Sequence, residues 1–495
     1  MTLQKPMPNS LAYAALSGFL LAMAGTYWDD AWHTDTGRDS FLIPPHICLY
    51  VGIAVAGAAL GLWALRSARA DGIRSALGDP RVMLALVGLS VTLGAAPIDN
   101  AWHVAFGRDA VLWSPPHMLG VAGSLAIAAA LLLALTPARS TGGRIAGRIA
   151  AVAVLAVAVI PVLEYETDVP QFDSVWYLPA LAFGVAFALG MVKSVLPGAW
   201  PAATAALLYT VLRMLITGGL LLAGMAAPLI PLLVVPAIIL DAMVAREHRR
   251  SSVALAFAAS FYAVYVPYLN WVKSDVFLDL SDVVLGLPLA ALGSYVGLAI
   301  AGQPRADLDS RQSRPTRRRR GAAALALLAA LVAPASASAH DPGQGEEVAV
   351  AKLEARTEGS AASLSIDLTD VADCSSFRPT ALIARRGGES VSAGLQETSP
   401  CRFGGSIELS DRGRWFVYGE LENGGQALET WLPVHAGRNE VVSGDRSIYV
   451  PAQNESGALK YALGVVVYGF LAAVIATIAA LTRRRTSPPP AGARA

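Results

Sequence analysis

The chain has 495 residues, 54% hydrophobic and only 15% charged, whereas soluble domains carry about 25% charged residues. A wholly soluble globular protein is therefore excluded, and a formal net charge of +1 argues against a nucleic-acid partner. No P-loop, dinucleotide fingerprint or nucleophile-elbow motif stands out, which leaves nucleotide-driven pumps and hydrolases without support.

A bilayer span needs about 20 apolar residues. Such stretches lie near 11–28, 41–65, 82–98, 111–135, 147–163, 175–194, 201–223, 226–244, 253–270 and 283–301, which predicts a ten-span domain over residues 1–302. The Arg-rich segments 66–74, 137–148, 245–250, 314–320 and 483–485 fall on one side of this alternation. The Asp- and Glu-rich loops 29–40, 99–110, 164–174 and 270–282 fall on the other. The positive-inside rule makes the first side cytoplasmic and places the acidic loops on the periplasmic face of a bacterial inner membrane.

Polar residues inside this region need partners. Arg213, in YTVLRMLIT, sits mid-span, and Asp241 or Glu164 can pair with it. The clusters Glu164, Glu166, Asp168, Asp173 and Asp275, Asp279, Asp282 read as solvated loops. His248, in AREHRR, reads as a surface residue.

Residues 303–339 form a basic linker followed by an apolar run near 321–338 that ends in ASASA. A basic start, an apolar middle and small residues at the end are the pattern of a secretory signal peptide, here internal. Either it is cleaved, making His340 an amino terminus, or it stays as an eleventh span.

Residues 340–453 alternate apolar and polar positions in short runs separated by Gly, Asp and Asn turns, the signature of a β-sandwich. Cys374 and Cys401 lie in this segment, and export would favour a disulfide between them. Residues 454–485 read as a single-span anchor and 486–495 as a disordered tail. The expected fold is thus a polytopic α-helical membrane protein with a C-terminal periplasmic β-sandwich and a terminal anchor.

One phrase occurs twice. Residues 29–46 read DDAWHTDTGRDSFLIPPH, and residues 99–117 read DNAWHVAFGRDAVLWSPPH. Asp29 and His33, like Asp99 and His103, are four apart, which puts each pair on one helix face. A G-R-D turn follows, then Pro-Pro opening the next helix with His46 or His117 directly behind it. Each hairpin thereby gathers one carboxylate and two imidazoles, a ligand set that suits copper, zinc or non-heme iron. The plain alternative is a pair of polar hairpins whose histidines bond backbone carbonyls. Asp30, Arg38, Asp39, Asn100, Arg108 and Asp109 are candidates to orient the ligands from behind, with Arg38–Asp39 and Arg108–Asp109 forming loop ion pairs. Trp32 and Trp102 read as interface anchors.

These residues resemble the C subunit of the copper membrane monooxygenases, the particulate methane and ammonia monooxygenases. That family carries D-x3-H-x12-H at one copper site and N-x3-H-x13-H at a neighbouring one. Here Asp29-x3-His33-x12-His46 is followed by Asp99-x3-His103-x13-His117, in the same order of spacings. The departures are Asp99 where the family has Asn, with Asn100 adjacent but out of register, and P-P-H for P-S-H. The likeness covers the two motifs strictly and about the first 200 residues loosely. The segment from His340 resembles, more weakly, the exported copper-binding B subunit or CopC-like proteins. Freed by cleavage, His340 would chelate copper through its amine and ring, with His435 as the sole partner histidine in that segment.

The resemblance implies a copper-dependent monooxygenase, or a subunit of one working with further subunits or in a homo-oligomer, that oxidises a small apolar substrate or ammonia with dioxygen. The other reading is a non-catalytic membrane protein that binds, delivers or stores copper. A third is a structural membrane protein whose hairpins hold no metal.

Overall fold

The structure is a computed structural model, and it describes residues 7–35, 42–106, 112–136, 140–169, 172–272, 274, 276, 278–302, 347–386, 389–410, 412–451 and 457–486. Residues 303–346, which hold the linker, the signal-like segment and His340, lie outside the described residues, as do Arg38, Asp39, Arg108, Asp109, Asp275 and 487–495.

Among the described residues, ten helices are long and apolar enough to cross a bilayer. Nine belong to the first 302 residues and one is C-terminal. In chain order the helices are α1 (Asn9–Asp35), α2 (Pro44–Asp71), the short α3 (Ile73–Gly78), α4 (Pro80–Phe106), α5 (Pro115–Leu135), α6 (Thr141–Val159), the single turn α7 (Leu163–Glu166), α8 (Tyr177–Val195), α9 (Pro201–Leu222), α10 (Val234–Ala245), α11 (Arg250–Val272), α12 (Leu280–Ile300) and α13 (Gly457–Thr486). Helices α5, α6 and α8 are the most buried, and their Ala, Leu and Val side chains form the centre of the apolar core. Helix α13 packs back against α5 and α8.

The duplication seen in the sequence extends into the packing. Helices α1 and α2 form one antiparallel hairpin, α4 and α5 another, and these are two of the most extensive helix pairings in the molecule. The first pair crosses at Gly18 and Gly52, the second at Gly88 and Gly123. A β-carbon on Gly18 would lie 2.6 Å from the Gly52 carbonyl oxygen, and one on Gly88 would lie 2.7 Å from that of Gly123. Only glycine lets the two backbones approach so closely. Gly18 and Gly88 stand at the same distance in sequence from Asp29 and Asp99, and Gly52 and Gly123 at the same distance from His46 and His117. The crossing points thus set the same register for both motifs.

The expected span at 226–244 has a different form. Residues 226–233 are non-helical, and only the twelve-residue α10 follows. At 1.5 Å per residue α10 reaches about 18 Å, short of a bilayer core of about 30 Å. Within a bilayer, non-helical backbone is tolerated only where protein satisfies its polar groups. Here Leu229 N donates to Glu166 O at 2.7 Å, Leu232 N to Tyr265 Oη at 3.1 Å, and Ile230 N to Tyr268 Oη at 3.2 Å. Arg213 Nη2 donates to Leu229 O at 2.8 Å, and Thr217 Oγ1 to Pro228 O at 3.2 Å. Pro228 and Pro231, with Gly224 just before them, break the helical pattern.

Residues 347–451 form nine antiparallel strands: β1 (Glu347–Glu358), β2 (Ala361–Asp367), β3 (Phe377–Arg386), β4 (Glu389–Ala393), β5 (Gln396–Ser399), β6 (Arg402–Glu408), β7 (Gly413–Asn423), β8 (Gln426–Ala436) and β9 (Glu440–Tyr449). They join in one sheet of order β4-β3-β7-β8-β9-β1-β2-β6-β5, not in the two sheets of a sandwich. The sheet curls so that β3 and β4 meet β5 and β6 across the core. Leu364, Ile366, Leu382, Phe403, Trp415 and Val417 fill the interior. Cys374 and Cys401 are bonded to each other, with Cα atoms 5.4 Å apart.

The outer face of β7 and β8 is also buried. Phe416, Tyr418, Trp431 and Tyr449 form a second aromatic cluster, and Val169 of the helical region packs against it. That contact seats the β domain on the loop end of the bundle, beside the end of α1.

Candidate metal centre

Helix α1 carries Asp29 and His33 in its last two turns, and Pro44-Pro45 start α2 so that His46 falls in its first turn. Asp29 Oδ1 lies 3.1 Å from His46 Nε2 and 3.6 Å from His33 Nε2. One donor atom from each of the three residues falls within 4.8 Å of the others. Donors held about 2.0–2.2 Å from one ion in tetrahedral geometry are about 3.4 Å apart, close to the two Asp29–imidazole distances. Asp29 Oδ1 is shielded from solvent and faces the Nε2 atoms of both imidazoles. The site is thus a carboxylate and two imidazoles, partly buried, at the loop end of an apolar bundle.

The second hairpin repeats part of this. Asp99 Oδ1 lies 3.4 Å from His117 Nε2, and His117 follows Pro115-Pro116 at the start of α5. The side chains of Asn100 and His103 lie outside the described residues. The two hairpins face one another across a cavity of about 190 Å³. Asp29, Asp30, His33 and His46 line it from one hairpin, and Asp99 and His117 from the other. Away from these groups the wall is mostly apolar, with Phe19, Met23, Ile53 and Ile127, interrupted by Thr26, Thr92 and Ser124. His46 also stands 5.7 Å, ring centre to ring centre, from Tyr50.

The first hairpin is held from both sides of its metal-type turn. Below it, Tyr27 Oη accepts from Arg213 Nη1 at 3.1 Å, and the guanidinium lies over the Tyr27 ring at 4.4 Å. Arg213 is fully buried, and its carboxylate partner is Glu166 at 2.8 Å. That corrects the expected pairing with Asp241 or Glu164. Asp241 instead takes Lys193 at 2.8 Å and Ala203 N at 2.9 Å, while Glu164 Oε1 accepts from Leu112 N at 2.7 Å. Glu164 and Glu166 are buried, so they do not belong to a solvated loop. Asp279 and Asp282 form a capping box at the start of α12.

Above the turn, Thr34 Oγ1 donates to Asp30 O at 2.9 Å. Asp35 Oδ2 accepts from Ala226 N at 2.6 Å, and Asp35 O accepts from Arg446 Nη2 of β9 at 2.7 Å. Burial lowers the Arg446 guanidinium from its ordinary value, and the Asp35 carboxylate opposes that. In the β domain His435 does not stand alone on the surface: its Nδ1 and backbone N both contact Glu440 Oε1, at 3.0 and 2.8 Å. Trp102, expected at an interface, is buried, and Trp32 is half-buried.

Sequence reasoning found Asp29, His33, His46, Asp99 and His117, which the structure brings to one cavity. It missed Tyr27, Asp35, Glu166 as the ion-pair partner, and Arg446. Glu166 was legible only as one of several acidic residues, and Arg446 carried no local signal. Compared with known proteins, the chain matches no family model, no curated protein and no solved structure.

Proposed function

We propose that the chain is a copper-binding membrane protein whose two hairpins present ligands to one shared cavity, and that it oxidises a small apolar substrate or ammonia, alone or as a subunit of a copper membrane monooxygenase. The observation that carries this reading is the convergence of Asp29, His33 and His46 at donor spacing in the same cavity as Asp99 and His117. The order of motif spacings, x12 then x13, resembles that of the copper membrane monooxygenases, and that resemblance favours copper over zinc or iron. A bound copper supplies one-electron and dioxygen chemistry that side chains lack.

The residues have separable tasks in this reading. Asp29, His33 and His46 hold the ion, and the paired carboxylate fixes the orientation of both rings. Asp99 and His117 would form the second ligand set together with His103, whose side chain lies outside the described residues. Phe19, Met23, Ile53 and Ile127 exclude water from the deeper cavity and suit an apolar substrate that arrives from the bilayer. The loop ends face the periplasm of a bacterial inner membrane, in keeping with the charge asymmetry of the other loops. His340, if freed by cleavage, adds a separate copper ligand at the start of the β domain.

The test is metal content of the purified full chain by mass spectrometry, repeated with His33→Ala, His46→Ala and His117→Ala. Copper is expected in the wild type and reduced in each variant. Copper unchanged in all three would sink the assignment. Oxygen consumption with small alkanes or ammonia then separates an oxygenase from a copper carrier or store: copper without turnover selects the carrier. A C-terminal fragment beginning at His340 is the expected product if the internal segment is cleaved.

A further inference from the structure

The last carbonyl groups of any helix lack intrahelical partners, and cations are favoured there. Asp35 is the last residue of α1, two residues after His33. Its carbonyl is met at 2.7 Å by Arg446 Nη2, from a strand more than 400 residues later in the chain. Arg446 is not a loose surface side chain. Its guanidinium stacks over Trp431 at 5.3 Å, and Trp431 is buried in the aromatic cluster against which Val169 of the helical region packs. The same Asp35 is fixed from another side, since its carboxylate accepts from Ala226 N. In the second hairpin the matching residue is Ala105, which has no carboxylate to repeat the contact with Ala226.

We propose that Arg446 is a positioning residue. By capping α1 from the β domain, it couples the seating of that domain to the geometry of the Asp29–His33 turn. The contact stands on its own; its consequence for metal rests on the copper reading above. The β domain is then a cap on the first hairpin, and displacing it loosens the turn that carries two of the three ligands. The second hairpin has no carboxylate at the matching position, and exchange there is expected to respond less to where the β domain sits.

The experiment uses the full chain in detergent, as wild type, Arg446→Gln, Arg446→Lys, and the exposed control Arg356→Gln. Hydrogen exchange is followed at residues 29–35, at 99–105 and in strand 413–423, without metal. Copper(II) affinity is measured by chelator competition, with the electron paramagnetic resonance spectrum recorded. Arg446→Gln is expected to speed exchange at 29–35 by about tenfold, the size of one lost hydrogen bond to a charged group. Exchange at 99–105 changes less, and exchange at 413–423 stays unchanged. Copper binding at the first hairpin weakens by about the same factor with an altered spectrum. Arg446→Lys, which keeps a cationic donor, restores most of both, and Arg356→Gln changes neither. Unchanged exchange at 29–35 overturns the proposal, and so does faster exchange spread over 413–423, which means the domain itself has failed. Faster exchange at 29–35 with unaltered copper affinity overturns the coupling to the site. If the wild type binds no copper, the copper reading fails, and the exchange pattern alone decides whether Arg446 holds the turn.

Discussion

The two helical hairpins share a crossing and differ in support. Gly18 against Gly52 and Gly88 against Gly123 place their backbones at the same closeness and their Asp and His residues in the same register. Around that frame the positions diverge. Tyr27, Asp30, Thr34 and Asp35 of the first copy correspond to Pro97, Asn100, Val104 and Ala105 of the second. The first four reach Arg213, Ala226 and Arg446 or brace the turn itself; Pro97, Val104 and Ala105 lack the hydroxyl and carboxylate groups that Tyr27, Thr34 and Asp35 use, and Pro97 interrupts the ladder of α4.

The comparison breaks most visibly at Glu166. Glu166→Ala leaves the fully buried Arg213 without its carboxylate, and a loss of about 3–5 kcal/mol is expected. Thermal unfolding in detergent measures it, and exchange should rise first at residues 27–35. Replacing both partners with apolar residues, Arg213→Met with Glu166→Leu, should recover much of the loss. A double variant as unstable as the single one would mean that the ion pair is not the element at work.

The shared frame is tested next. Gly18→Leu and Gly88→Leu each force a side chain into the facing backbone, at a cost of about 1–3 kcal/mol or more. The two variants should lower the unfolding temperature by similar amounts. A large effect in one and none in the other would show that the crossings are not equivalent.

Smaller effects separate the supports. Tyr27→Phe removes an acceptor from Arg213 and should cost about 1.5–3 kcal/mol, at the lower end because Tyr209 Oη still accepts from Arg213 at 3.1 Å. Pro97→Tyr in the second hairpin should leave the unfolding temperature unchanged or raise it, since no Arg213 awaits the new hydroxyl. Thr34→Val removes only the bond to Asp30 O and should cost about 0.5–1 kcal/mol, read as a small shift in denaturant midpoint. A Thr34→Val effect as large as that of Glu166→Ala would reverse the ranking of supports.

Much of this molecule was legible before any coordinates. Long apolar runs name their own helices, because about 20 apolar residues have few alternatives at a bilayer. The spacing of Asp29 and His33 fixes a common helix face, and Pro44-Pro45 fixes where the next helix starts. Segment 226–244 misled because its apolar composition resembles a span, while Pro228 and Pro231 and the polar groups of Glu166, Tyr265 and Tyr268 favour a non-helical start. The β strands were legible from alternation, but whether they close as two sheets or one depends on pairings distant in sequence, such as β1 with β9.

The sequence by itself determined which residues can serve as ligands and in what local geometry, since helix period and turn chemistry act over a few residues. The tertiary structure alone decided that Asp29, His33, His46, Asp99 and His117 share one cavity, that Arg213 takes Glu166, and that Arg446 closes the end of α1. Those choices join residues 47 to 411 positions apart, and they follow from how helices cross and where a domain seats, which no local pattern encodes.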